Sequence, residues 1–401
     1  MDTASRQILL VLEQLVKSVP IGTNLALLQL MWVMLSGHFL TSRGAVHTAL
    51  QLGGLSKAEV KRCWQALRFG VWSVGELLSV WEHWVEQETS WQAHRYDGWQ
   101  PLAFDLTTFW RPKLKNWVLR GFHQVAGHLL PGVVLGVVVR VGHIEGQRLP
   151  LLHKLLRAPA GATDEEPLKA HVIAYASRQL AEEAIAIFDG GFNLKALQDG
   201  QVPRFVVRLA SNCVLRRNVL PQRASNKGRP AEYGSRVRPL ARTYKGNLIE
   251  ATPPDTMVTF KHDGHTITAN GWLGVIRSDQ KVNADHACVD VWCYQDPRYL
   301  TPLIVANNVS LSAAAAFQLY LDRWPVEQVP LVAKQMLGVQ RMFVYAAVTV
   351  WRLPELALLL GNILTILAAV LPPMPTGYWD RSPKKRVVAC AGRCTVPIFP
   401  N

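Results

Sequence analysis

The run Ile185-Ala-Ile-Phe-Asp189-Gly-Gly-Phe192 sets four apolar residues ahead of an acid and a glycine pair. A short apolar run bounded by turn residues reads as a strand buried on both faces. The carboxylate then falls at the strand's C-terminal end, where α/β sheets place their ligand sites. Ahead of it, residues 174–184 have helical spacing; behind it, Pro203-Arg-Phe-Val-Val-Arg-Leu-Ala210 reads as another strand. Upstream, Pro101-Leu-Ala-Phe-Asp105 repeats the pattern of an apolar strand ending in an acid. Residues 116–124 and 131–142 supply two further strands around a Gly/His-rich turn. Strands followed by helices, with acids at strand ends, predict an α/β domain whose site is lined by Asp105 and Asp189.

A third acid stands in Tyr320-Leu-Asp-Arg323-Trp-Pro-Val-Glu327, with Lys334 seven residues further on. On an α-helix, offsets of 0, 3, 7 and 14 fall within a ~60° arc. One face would then present a phenol, a guanidinium, a carboxylate and an ammonium. A carboxylate is a hard oxygen ligand for Mg²⁺, and cations on either side hold the phosphates such a metal works on. The plainer alternative is a solvated helical face. Together, Asp105, Asp189 and Glu327 form the kind of carboxylate set that two Mg²⁺ ions about 4 Å apart require for in-line attack on phosphorus. Asp97, in Tyr96-Asp97-Gly98, is a rival for the first acid, but no apolar strand precedes it.

The net charge of +14 and pI ≈ 9.7 point to a polyanionic partner, either nucleic acid or an anionic membrane. Residues 204–245 hold eleven Arg or Lys against one acid, Glu232. A patch this one-sided favours phosphate contact over a merely solvated face, and Arg204, Arg208, Arg216 and Arg217 are its DNA-binding candidates. A hydrophobic fraction of 49% with 14 Trp excludes a disordered chain. The six cysteines show no paired framework, and the N-terminus lacks a signal-peptide pattern. The apolar run 356–371, bracketed by Pro354 and Pro372, is shorter than a membrane span of about twenty residues and reads as a buried helix. The expectation is a reduced, intracellular, soluble protein without a membrane partner.

Five regions are expected along the chain. Residues 1–95 read as helical; within them a helix from Val46, a glycine break, the N-cap Ser56 and a second helix from Lys57 fit helix-turn-helix DNA binding or any small helical bundle. Residues 96–210 carry the first part of the catalytic core, and 211–308 a β-rich basic insertion. Residues 309–340 return to helix and carry Glu327. Apolar helices at 342–371, within the last region 341–401, offer a dimer contact, and a loose basic tail follows.

These residues resemble a known family. Asp105, Asp189 and Glu327, with Tyr320, Arg323 and Lys334 around the glutamate, are similar to the DDE site and Y-(2)-R-(3)-E-(6)-K signature of bacterial insertion-sequence transposases of the insertion-sequence-four type. The resemblance covers the order of parts from about residue 100 to 340. It implies an RNase H-like core interrupted by a β-strand-rich insertion, with N-terminal and C-terminal helical regions. It further implies cut-and-paste transposition: hydrolysis at the transposon end, a DNA hairpin intermediate and strand transfer, with two Mg²⁺ ions as cofactor and Mn²⁺ as substitute. Asp105, Asp189 and Glu327 would ligate metal; Tyr320, Arg323 and Lys334 would hold phosphates or a displaced base. Trp324 stacks beside them or, on its residue type alone, is core. Among the insertion aromatics, Trp272, Trp292, Tyr294 and Tyr299 are candidates to stack a flipped base. The partners implied are double-stranded DNA and a second copy of the chain in a synaptic complex, in a bacterial cytoplasm at the nucleoid. Pro325 fits the first turn of a helix holding Glu327, whereas Pro330 is expected to kink it.

Two alternatives stay open: a catalytically inactive, domesticated DNA-binding relative, and a structure-selective nuclease on the same core. His262, His265, His286, Cys288 and Cys293 lack a clean four-ligand zinc spacing and read as strand residues, and Cys390 and Cys394 are no more convincing.

Overall fold

The computed structural model describes residues 3–222, 231–375 and 380–387. Six helices open the chain: α1 (Thr3–Val16), α2 (Asn24–Leu35), α3 (His38–Thr41), α4 (Val46–Leu52), α5 (Lys57–Phe69) and α6 (Val74–Glu88). They lead into β1 (Gln92–Ala93), β2 (Gln100–Trp110), β3 (Arg120–His123), β4 (His128–Ile144) and β5 (Gln147–Arg157). Next come α7 (Glu166–Gln179), β6 (Ala184–Phe188), α8 (Leu194–Asp199) and β7 (Phe205–Arg208). The following strands are β8 (Leu215–Arg217), β9 (Arg236–Val237), β10 (Arg242–Tyr244), β11 (Asn247–Ile249), β12 (Thr256–His262), β13 (His265–Arg277), β14 (Val289–Gln295) and β15 (Leu303–Asn307). The helices α9 (Ala313–Leu321), α10 (Gln328–Leu331) and α11 (Ala347–Val370) come last. The architecture is mixed α/β with helical regions towards both ends of the chain. Two compact units are formed, one from residues 1–94, 105–171 and 325–401, the other from 95–104 and 172–324.

In the first unit the early helices start where the sequence supplies caps. Ser56 with Glu59 and Ser73 with Glu76 form capping boxes at α5 and α6, each satisfying two orphan N–H groups. The sheet is built on β4, which pairs antiparallel with β1, β3 and β5. Helix α11 is the core of this unit. It is the one described helix long and apolar enough to cross a membrane, and 94% of its apolar window is buried inside the fold. It starts at Ala347 and keeps Pro354 within it, so the expected boundary at that proline is corrected: burial of Val350 and Leu353 holds the extra turn despite the missing donor. Burial also removes 353–369 as a dimer surface. Arg157 clamps the 2%-exposed Glu355 of α11 with two bonds of 2.5 and 2.6 Å. Arg352 donates to the carbonyls of Leu67, Gly70 and Trp72, tying α11 to the turn between α5 and α6.

The second unit is a mixed sheet. Residues 100–103 of β2 pair parallel with β6, and β6 parallel with β7. From β7 the sheet continues antiparallel through β15, β14, β13, β8 and β9, with β12 hairpinned onto β13. Most strands of the expected insertion therefore extend the sheet that carries Asp189, while β10 and β11 form a separate ribbon. Two boundaries are corrected. Helix α7 begins at Glu166 and ends at Gln179, earlier than the 174–184 pattern, and β2 runs five residues past Asp105 to Trp110. Part of the tail, residues 376–379 and 388–401 with Cys390 and Cys394, lies outside the described residues.

Candidate phosphate and metal site

The signature segment is not one α-helix. Helix α9, N-capped by Ser312, ends at Leu321; a turn holds Asp322 and Arg323; a 3₁₀ turn spans Trp324–Glu327; α10 follows; and a π-helical turn, Val332–Met336, carries Lys334. Pro325 and Pro330 explain the breaks, since neither has an N–H to give the carbonyl four residues back. The single-face expectation is thus corrected. Tyr320, Arg323 and Trp324 belong to the second unit, Glu327 and Lys334 to the first.

In the second unit the cluster is built on β6. Asp189 follows the strand, and its Oδ1 accepts the Gly191 N–H at 2.9 Å. A Cβ at Gly191 would come 3.0 Å from that same oxygen, so glycine leaves the turn room to close. Arg323, only 8% exposed, brings Nη2 to 3.9 Å from Asp189 Oδ2. The neighbouring parallel strand β7 ends in Arg208, which hydrogen-bonds the Tyr320 hydroxyl. Tyr320 is almost wholly buried, and burial pushes its phenol above the usual range, so it stays protonated as a donor. Trp324 is half-exposed and faces the Arg323 guanidinium at 5.1 Å, so it is not a core residue. Arg323 and the Tyr320 phenol thus lie within electrostatic reach of the Asp189 carboxylate, with the Trp324 indole against Arg323.

In the first unit Asp105 sits within β2 rather than at its end, half-buried, its Oδ1 accepting from Leu106 N at 2.8 Å. Thr107 shares the face of Asp105, two residues on. Lys334 Nζ donates to Thr107 Oγ1 at 2.8 Å and lies 5.2 Å from the Phe109 ring centre. Burial lowers its ammonium to about 8, an effect the Asp105 charge opposes without cancelling. Glu327 is exposed. Thr107 is the residue that sequence reasoning passed over; its signal is its place two positions beyond an acid already singled out.

The basic stretch divides by use. Arg204 donates to the carbonyls of Ala181 and Ala184, Arg216 to those of Ser278 and Gly234, and Arg217 holds Asp255 with two 2.5 Å bonds. These three fasten the fold. Arg208 is exposed beside the Tyr320 cluster, and Arg223, Lys227 and Arg229 lie outside the described residues. Asp97 accepts from Ser312 N at 2.7 Å, at the start of α9. Of the four insertion aromatics, Trp272, Trp292 and Tyr294 are buried, and only Tyr299, at 64%, is exposed. His262 contacts Gln318 and the edge of Phe317.

The candidate acids offer oxygen donors of the type Mg²⁺ takes, but no group of three His, Cys, Asp or Glu among the described residues forms a ready-made metal site. A scan of protein-family models and a search of curated proteins each return no match to this chain.

Proposed function

We propose that this chain is a DNA transposase of the DDE class, with an RNase H-like core, cutting DNA at transposon ends and joining them to a target. The observation that carries the reading is that each signature cation with a described partner stands by a candidate acid: Arg323 by Asp189, and Lys334 by Asp105. Lys334 donates to a hydroxyl, and that neutral bond does not cancel its charge, which suits a phosphate.

On this reading Asp105, Asp189 and Glu327 hold Mg²⁺, which supplies an activated water or 3′-hydroxyl and a stabilised leaving oxygen. Arg323 and Lys334 grip phosphate oxygens flanking the scissile bond. Tyr320 donates from its hydroxyl, oriented by Arg208. Trp324, exposed and already beside a guanidinium, offers a face to a base. The setting is a dimer on double-stranded DNA at the bacterial nucleoid in the cytoplasm, and Tyr299 is the accessible insertion aromatic for a flipped base on a hairpin route.

The test is cleavage of a labelled duplex carrying the transposon end, identified by matching inverted repeats flanking the gene. Metal-dependent cutting with Mg²⁺ or Mn²⁺, lost in Glu327→Ala while duplex binding persists, is the expected result. Duplex binding with no cutting by the unmutated protein would replace this reading with that of an inactive relative.

A further inference from the structure

We propose that a cleft of about 370 Å³ in the first unit, lined by Trp110, Arg111, Lys113, Met342, Phe343 and Tyr345, binds single-stranded DNA. Bases stack on its rings and a phosphate meets the exposed Lys113, with the Arg111 charge behind it. The inference rests on the transposase reading only in taking DNA as the polyanion.

The backbone presents the rings deliberately. Residues 342–345 alternate in burial: Met342 and Val344 are buried at 1% and 0%, while Phe343 and Tyr345 are exposed at 50% and 62%. Alternation of this kind is what an extended segment produces when one side faces a core. The segment is pinned twice, by Phe343 N donating to Gly44 O at 3.1 Å and by Arg111 Nη2 donating to Val344 O at 2.7 Å. Two large aromatic rings are thus held in solvent on a fixed backbone, with Trp110 half-buried across from them at the end of β2.

The charge in the cleft is unbalanced. Arg111 is 6% exposed, its guanidinium lies 5.6 Å from the Tyr345 ring centre, its Nη1 is buried without a hydrogen-bond acceptor, and no carboxylate lines the cleft. A buried guanidinium without a counter-ion is costly, so a site that keeps one is built for an anion that arrives with a ligand. The surrounding sequence agrees. Residues 106–144 contain Arg111, Lys113, Lys115, Arg120 and Arg140 and no acid; residues 328–354 contain Lys334, Arg341 and Arg352 and no acid. Cations interleaved with open aromatic faces suit unpaired nucleotides, because bases in a duplex already stack on one another and offer no free face. Trp110 also lines a neighbouring cleft of about 350 Å³ that contains Thr107 and Lys334. A strand whose phosphate meets Lys334 therefore has a route past Trp110 into the aromatic cleft.

The experiment is fluorescence anisotropy of a labelled oligothymidylate in metal-free buffer. It compares the full chain with Phe343→Ala, Tyr345→Ala and Lys113→Ala, and uses a duplex of equal length as competitor. All three side chains are exposed, so each variant is expected to fold, as circular dichroism melting will check. Binding roughly tenfold weaker for each lost ring, with Lys113→Ala reducing the salt dependence, and a duplex that competes poorly, is the supporting result. Equal affinity in the unmutated and ring variants, no binding at all, or a duplex preferred through the same rings would overturn the proposal. Ring-dependent strand binding without end cleavage would retain this inference and remove the transposase reading; cleavage with ring-independent strand binding would do the reverse.

Discussion

Lys334 Nζ reaches from a π-helical turn to the hydroxyl of Thr107, 2.8 Å away on the strand that carries Asp105. The ammonium is bonded to a neutral oxygen and buried, and burial lowers it to about 8. Its charge is present below that value and lost above it. Its folded value lies below its unfolded one, so the stability penalty is full below about pH 8 and relieved as pH rises further. Binding runs the other way, since phosphate attraction needs the charge. Affinity for an end duplex is therefore expected to fall between pH 7 and 9 in the unmutated protein and to stay level in Lys334→Arg, whose guanidinium does not titrate there. Anisotropy titrations at fixed ionic strength check this; parallel pH profiles in the two proteins would exclude Lys334 from phosphate binding.

Arg323 faces the Trp324 ring and brings Nη2 to 3.9 Å from Asp189 Oδ2. A lysine there keeps the charge but loses the planar fork and the stacking surface. On the transposase reading, Arg323→Lys lowers the single-turnover cleavage rate by roughly two orders of magnitude, while duplex affinity changes little. An equal loss in both would assign Arg323 to binding alone.

Much of the fold was legible because local signals agreed with tertiary demands. The strand before Asp189 and the Ser56 cap needed only an apolar run and a capping residue. Strand β5 was not legible. Its pairing with β4 shifts register at Val138/Val139, opposite His153, so its leucines do not alternate and no period of two appears in Gln147–Arg157. Pro354 looked like a boundary because intrinsic propensity ends a helix there, yet packing inside the first unit overrides it. In the site, residue types were readable but geometry was not. A 3.6-residue repeat places Tyr320 and Lys334 on one face, and two prolines, which the same sequence displays, divide that face among three kinds of helical turn.

Gly338 closes the turn after Lys334 with φ +68°, and a Cβ there would lie 2.6 Å from Leu40 N and 2.8 Å from Leu40 Cα. Both the left-handed backbone and the close approach to α3 require glycine. Gly338→Ala is expected to cost about 2 kcal/mol or more and to loosen the π-helical turn. A lowered urea midpoint would show the first effect. Amide exchange speeding at 332–337 more than elsewhere would show the second, and uniform protection loss would rule out a local role.

Asn362 is wholly buried in the middle of α11, within a buried stretch, 356–364, whose other residues are all apolar. Its Oδ1 accepts from Trp81 Nε1 at 2.8 Å and from Leu152 N at 3.0 Å, and its Nδ2 donates to Pro150 O at 2.8 Å. One amide thereby joins α6, β5 and α11. Replacing it with leucine keeps the volume but strands an indole N–H, a backbone N–H and a carbonyl away from water, each costly when unpaired. Asn362→Leu is expected to destabilise by about 3 kcal/mol despite the greater hydrophobicity. The double variant Asn362→Leu with Trp81→Phe removes one of the stranded groups and should recover part of that loss. Denaturant unfolding of the four proteins in a double-mutant cycle measures the coupling. Strictly additive effects would mean that the amide acts through packing rather than through its hydrogen bonds.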